Sequence, residues 1–240
     1  MLKLNPSKSS VIIFGNQTQI EVVKNNIEIK LNNATLPFVD SCKSLGLILD
    51  SRLRFKDHVK SKLRVAYGLL KLIFGQRHYL SVDSRKMLSN ALVLSQFNHC
   101  SAVYYPCLDS SDRCRIQKVQ NACLRMIYGV RRRDHITPYL KESKWLNNTF
   151  KLHMSYFYFK IIRNKLPVYQ YVKASLRSNI HSRNMHRRGL LTVPRHRKEL
   201  FKRSFSYNIA TLLNSSNVVD WNISNLSFKH LVKQHLLRQQ

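Results

Sequence analysis

Apolar residues in the first fifty positions occur as short runs separated by polar turns. The runs are Val11–Phe14, Ile27–Ile29, Leu36–Val39 and Leu45–Leu49, and they are rich in the β-branched residues that favour strands. Between them lie Gly15-Asn16 and Asn32-Asn33, which have the composition of turns. The pattern predicts a small β-sheet within residues 1–57.

From Asp57 onward the spacing of apolar residues changes to the three- and four-residue steps of a helix. The first apolar stripe consists of Val59, Leu63, Ala66, Leu70 and Ile73, with lysines and arginines between its members. Two further helices follow: Asp83 is expected to cap one that runs to Leu94, and Asp109 or Asp112 one that ends before Gly129. Residues 58–130 are therefore predicted to form a three-helix bundle.

The last part of the chain, residues 131–240, is predicted to be a basic helical extension. Its apolar spacing indicates helices near Thr137–Leu146, Phe150–Arg163, Phe201–Leu213 and Leu226–Leu237, with a basic loop over Arg177–Arg203. The predicted fold class is thus mainly α with a small N-terminal β-sheet.

The net charge of the chain indicates what kind of partner it binds. The chain has 41 Lys and Arg against 12 Asp and Glu, a formal net charge of +29. A folded body with this imbalance repels itself unless a polyanion neutralises it, so RNA or DNA is the expected partner. We expect phosphate contacts from arginine-rich stretches, namely Arg131, Arg132, Arg133, Arg187, Arg188, Arg195 and Arg197.

An anionic membrane is the competing partner, and the sequence argues against it. The charge runs along the whole chain instead of concentrating on one amphipathic helix, and no stretch of about 18 apolar residues occurs. The five cysteines show no metal-binding spacing, which predicts buried free thiols in a reducing compartment, nucleus or cytoplasm.

The acidic residues and histidines that could catalyse a reaction or bind a metal are few and are scattered along the chain. Metal-dependent phosphoryl transfer needs carboxylates that converge on cations, but none of the 12 acids are adjacent and none form a DxD motif. The histidines show no HxH or HExxH spacing. We therefore predict no catalytic residues, no metal site and no small-molecule substrate. A metal nuclease remains an alternative if Asp40, Asp50 and Asp57 converge in the fold.

Several motifs occur in an order that resembles the end of reverse transcriptases from non-LTR retrotransposons of the jockey-like, LINE type. The resemblance covers nearly the whole chain. The motifs are LNPSKS at 4–9, KSLGLILD at 43–50, LRFKDHV at 53–59, IQKVQNACLR at 116–125, LPVY at 166–169, SFSYNIA at 204–210 and SFKHL at 227–231.

The resemblance implies a role for each part of the chain. Residues 1–57 would be the last strands of the polymerase palm, 58–130 a thumb-like bundle and 131–240 a C-terminal extension. Lys8 would lie near the incoming nucleotide, and Lys43, Leu45 and Gly46 would contact the primer terminus. The template–primer backbone would be followed by Arg52, Arg54, Lys56, Lys60 and Arg64.

The family's paired catalytic aspartates lie upstream of the LNPSK-like segment, so we expect this chain to be a fragment of an RNA-directed DNA polymerase. Such a fragment would bind an RNA or DNA template–primer and be inactive alone. Any Mg²⁺ would belong to the palm aspartates, not to this chain. The alternative hypothesis is a domesticated basic protein that binds nucleic acid or other partners without a polymerase role.

Overall fold

A computed structural model describes residues 5–143, 145, 149–165, 190–195, 201–202, 204–216, 221 and 223–238. The described residues are mainly helical, with two small antiparallel strand pairs in the N-terminal part. The predicted fold class is confirmed at that level. The chain folds as two compact units, Met1–Lys62 and Leu63–Gln240. The boundaries expected from the sequence, after residues 57 and 130, stay predictions.

Two hairpins supply the strands of the first unit. β1 (Lys30–Leu31) pairs with β2 (Ala34–Thr35), and β3 (Ser41–Ser44) pairs with β4 (Leu47–Asp50). The first hairpin turns at Asn32 and Asn33, whose φ angles of 50° and 63° lie in the left-handed region that asparagine tolerates. The predicted Asn32-Asn33 turn is confirmed.

A helix replaces part of the sheet that the sequence predicted. α1 (Gln17–Asn26) begins after Asn16, whose side-chain Oδ1 accepts a hydrogen bond from the Gln17 N–H at 2.8 Å. Asn16 is thus a helix cap and not a turn residue. None of the predicted runs Val11–Phe14, Ile27–Ile29 and Leu36–Val39 forms a strand, although Val11 makes an isolated parallel bridge to Phe38.

The predicted amphipathic helix after Asp57 is confirmed as α2 (Lys56–Gly75). Its predicted apolar stripe, from Val59 through Leu63, Ala66 and Leu70 to Ile73, is buried. The boundary between the two units falls inside this helix.

The next predicted helix is interrupted. α3 (Val82–Leu88) gives way to a π-helical turn over Ser89–Val93 and a 3₁₀ turn over Leu94–Phe97, before the short α4 (Ser101–Tyr104). Ser81, not Asp83, caps α3, because the Ser81 Oγ accepts the Ser84 N–H at 3.1 Å. The prediction for Asp83 was wrong, and Asp83 lies instead in the first turn.

α5 (Ser110–Tyr128) begins and ends where the sequence predicts. The Asp109 carboxylate accepts the Asp112 N–H at 2.8 Å, and Gly129 closes the helix with a φ of 69°. α5 contacts α3. The arrangement of these helices as a thumb-like bundle stays a prediction.

Four helices are described after Gly129, and the last three of them surround an aromatic core. They are α6 (Thr137–Ser143), α7 (Thr149–Asn164), α8 (Phe205–Ser215) and α9 (Asn225–Arg238), close to the predicted ranges. α7 packs against both α8 and α9. The rings of Phe159 and Phe228 stack with centroids 4.0 Å apart, and Leu191, Ile209 and Leu213 are buried in the same cluster.

Candidate nucleic-acid interface

The second hairpin of the first unit presents an exposed apolar tip. β3 and β4 are joined by a two-residue loop, Leu45-Gly46, with φ angles of 47° and 84°. Positive φ at both positions is the geometry of a type I′ turn, which Asn-Gly favours and which strains a leucine. Leu45 is nevertheless 91% exposed at this tip. Lys43, two residues earlier on β3, is also exposed.

Asp50 organises the loop that follows β4. Its carboxylate accepts hydrogen bonds from the backbone N–H groups of Arg54, at 3.0 Å, and Phe55, at 2.7 Å. These bonds hold the chain as it turns from β4 into α2, and the Phe55 ring is buried. The side chains of Arg52 and Arg54 are exposed, and Arg52 Nη2 also donates to Gln17 Oε1 at 2.7 Å.

His58 links the start of α2 to the second hairpin. The ring is buried, and Nδ1 accepts the backbone N–H of Ile48 at 3.3 Å. The bond places the start of α2, with exposed Lys56 and Lys60, beside the strand that leads from the tip. Within the first unit, the hairpin tip and the exposed Arg52, Arg54, Lys56 and Lys60 therefore belong to one hydrogen-bonded segment.

Lys8 lies on a separate feature of the first unit. Asn5 caps a 3₁₀ turn over Pro6–Lys8, with its Oδ1 accepting the Ser7 N–H at 3.0 Å. The Lys8 side chain is exposed.

In the second unit, the predicted arginines are exposed wherever the structure describes them. Arg64 is exposed on α2, and Arg131, Arg132 and Arg133 are exposed in a turn that the Asp134 carboxylate closes by accepting the Arg131 N–H at 3.1 Å. Arg195 is exposed as well. The predictions for Arg187, Arg188 and Arg197 lie outside the described residues.

Several carboxylates of the described residues make local structural contacts. Asp40 pairs with Lys24 at 2.7 Å, and Asp112 pairs with Arg115 at 3.1 Å. No group of three His, Cys, Asp or Glu that could hold a metal ion occurs in the described part of the chain. The convergence of Asp40, Asp50 and Asp57 that a metal nuclease needs therefore has no support there.

The cysteines differ from the expectation of buried thiols. All five are free, but Cys114 is exposed, and Cys42, Cys100 and Cys107 are half-buried. Only Cys123 is buried, and burial raises the pKa of its thiol to about 12. None of the helices in the described ranges is long and apolar enough to cross a bilayer.

Sequence reasoning missed a second basic cluster, on α7 and α9. The ammonium groups of Lys160 and Lys229 lie 4.8 and 5.9 Å from the centroid of the Tyr156 ring. Lys160 lies one helical turn after Tyr156, but Lys229 is far away in sequence. The sequence feature that could have predicted this cluster is the absence of Asp and Glu from both helices.

The chain matches no protein-family model, no curated protein and no solved structure.

Proposed function

We propose that the chain is the template–primer-binding part of a reverse transcriptase of the non-LTR retrotransposon type. The order of the sequence motifs supports the family, and the net charge of +29 supports a nucleic-acid partner. In this assignment the first unit includes the end of the palm, and the helices after it belong to the thumb and the C-terminal extension. The aspartates that perform the chemistry belong to another part of the polymerase.

The hairpin tip is the structural observation that supports this proposal most directly. A leucine at a left-handed position is strained, and a leucine that is 91% exposed contributes little to the core. Both costs are offset if Leu45 contacts a ligand. A primer terminus fits this position, because Lys43, Arg52 and Arg54 are exposed on the same hydrogen-bonded segment and supply positive charge for its phosphates.

The experiment compares the double variant Arg52→Gln/Arg54→Gln with the wild type. Binding to a template–primer with a recessed 3′ end is measured by fluorescence anisotropy at several salt concentrations. If both arginines contact phosphates, the variant binds more weakly, and the slope of log K against log salt becomes shallower by about 1.8, or roughly 0.9 per contact. Thermal unfolding followed by circular dichroism verifies that the variant is folded.

Lys24→Gln/Lys30→Gln is the matched control, since it removes the same charge from the same unit. Both lysines already have carboxylate partners, Asp40 and Glu28, so their loss should change the slope much less. Equal effects of the two double variants would contradict the proposed interface. Robust dNTP incorporation by this chain alone would contradict the assignment of catalysis to another part of the polymerase.

A further inference from the structure

α7 and α9 pack together, and their charged residues all have the same sign. α7 carries Lys151, Lys160 and Arg163, α9 carries Lys229, Lys233 and Arg238, and neither helix contains an acid. The two helices pack through the stacked rings of Phe159 and Phe228, and Arg163 Nη1 donates to the Ile223 carbonyl at 3.1 Å, just before α9. This packing fixes the backbone positions from which the cationic side chains extend.

The centre of this pair is Tyr156, which two cations approach from different helices. Lys160 reaches the ring from α7 and Lys229 from α9, both within the range of a cation–π contact. Among the described residues, no carboxylate forms an ion pair with either ammonium group. Because both ammonium groups lie beside one ring, positive charge is concentrated there, and this favours the binding of an anion.

Lys229 also acts on a neighbouring histidine. His153 lies one helical turn before Tyr156, and its Nδ1 is 3.1 Å from the Ser101 Oγ. Burial lowers the pKa of His153, and the positive charge of Lys229 lowers it further. The pKa of His153 therefore responds to changes in charge near Lys229.

We propose that Lys160 and Lys229 bind the phosphodiester backbone of a nucleic-acid strand, at a site on α7 and α9 that is additional to the hairpin segment. The inference rests on the proposed function, because it takes the chain to be a nucleic-acid binder. An anionic lipid surface is the competing partner, since Phe157, Leu226 and Leu231 of these helices are exposed. Nucleic acid fits better, because the cations lie on both helices and along the whole chain instead of on one amphipathic helix.

The test uses the full chain and a 20-nucleotide oligo-uridine RNA. Lys160→Gln/Lys229→Gln should raise the dissociation constant and make the salt slope shallower by about 1.4, or roughly 0.7 per single-strand contact. Lys118→Gln/Lys141→Gln removes the same charge from exposed positions on α5 and α6 and should have a much smaller effect. Lys160→Arg/Lys229→Arg keeps the charge and should retain binding.

A second readout follows His153 by NMR titration. Bound RNA should raise the pKa of His153, because the phosphate offsets the Lys229 charge, and Lys229→Gln alone should raise it in the free protein. In the Lys160→Gln/Lys229→Gln variant, RNA should no longer move this pKa.

The outcomes separate this site from the proposed function. If the wild type binds neither RNA nor template–primer, the proposed function fails and this inference fails with it. If the wild type binds but the α7–α9 variant behaves like the Lys118/Lys141 control, only this inference is overturned. It is also overturned if the α7–α9 variant loses binding to phosphatidylserine-rich vesicles while keeping its affinity for RNA.

Discussion

At Leu45 the side chain that the proposed function requires is unfavourable for the stability of the hairpin. A bulky side chain in the left-handed region costs on the order of 1 kcal/mol, and asparagine is far better suited to the first position of this turn. The residue identity is therefore poorly suited to the hairpin considered by itself. The proposed contact with a primer terminus offsets the cost of placing an exposed leucine at this position.

Leu45→Asn should consequently stabilise the fold and weaken binding. The free energy of unfolding in urea is expected to rise by about 1 kcal/mol, because asparagine tolerates positive φ. The preference for a recessed 3′ end over a blunt duplex of equal length, measured by anisotropy competition, is expected to fall.

Val22→Asn serves as the control, since Val22 is an exposed apolar residue of α1 in the same unit. It should leave the end preference unchanged. A Leu45→Asn protein with the end preference of the wild type would remove the hairpin tip from the interface.

Asp50 illustrates what a sequence cannot reveal about a single residue. The scattered acids predicted no catalytic carboxylate, but nothing in their spacing assigned Asp50 a structural task. That task depends on a loop in which Leu53 and Phe55 both have positive φ, 51° and 57°, an unusual backbone for apolar residues. Two backbone N–H groups then point at one carboxylate, which no residue spacing encodes.

At the scale of elements, long periodic segments were predictable and short or irregular ones were not. α2 and α5 show continuous stripes of buried apolar residues, so their period identifies them. α1 buries only Ile20 and gives almost no stripe. Its start was still readable, because Asn16 is followed three residues later by Gln19, a common pattern at helix N-termini. No comparable sequence pattern predicted the π-helical turn after α3.

Helix ends are also stabilised by residues that are distant in sequence. Arg85 of α3 donates from Nη1 to the Ile127 carbonyl at 2.7 Å, at the end of α5, and from Nε to the Leu80 carbonyl at 3.0 Å. The last carbonyls of a helix have no partner within the helix, and a cation there also interacts favourably with the helix dipole. This interaction joins α3 to the end of α5.

Arg85→Met should therefore destabilise the second unit. Charge-assisted hydrogen bonds contribute about 1.5–3 kcal/mol, and we expect a loss of that size in the free energy of unfolding measured in urea. Lys86→Met, which removes the same charge from the next position of α3, should cost much less. Similar losses in the two variants would show that Arg85 contributes charge alone and no specific bonds.

For the whole molecule, the decisive property is the excess of cations. Twelve acids cannot neutralise 41 lysines and arginines, and several of those acids already serve as helix caps or turn acceptors. The sequence alone shows this excess, and the polyanionic partner inferred from it stays a prediction. The sequence could not predict which cations act together, because Lys160 and Lys229 meet only through the packing of α7 on α9.

The central claim is that these cations bind a nucleic-acid backbone. The most direct measurement is the affinity of the wild-type chain for a template–primer across a range of KCl concentrations. If Arg52, Arg54, Lys56 and Lys60 each contact a phosphate, they alone give a slope of log K against log salt of about −3.6, and further contacts make it steeper. A linear plot at least that steep is the predicted result. A nearly flat plot, or no binding at low salt, would contradict the account.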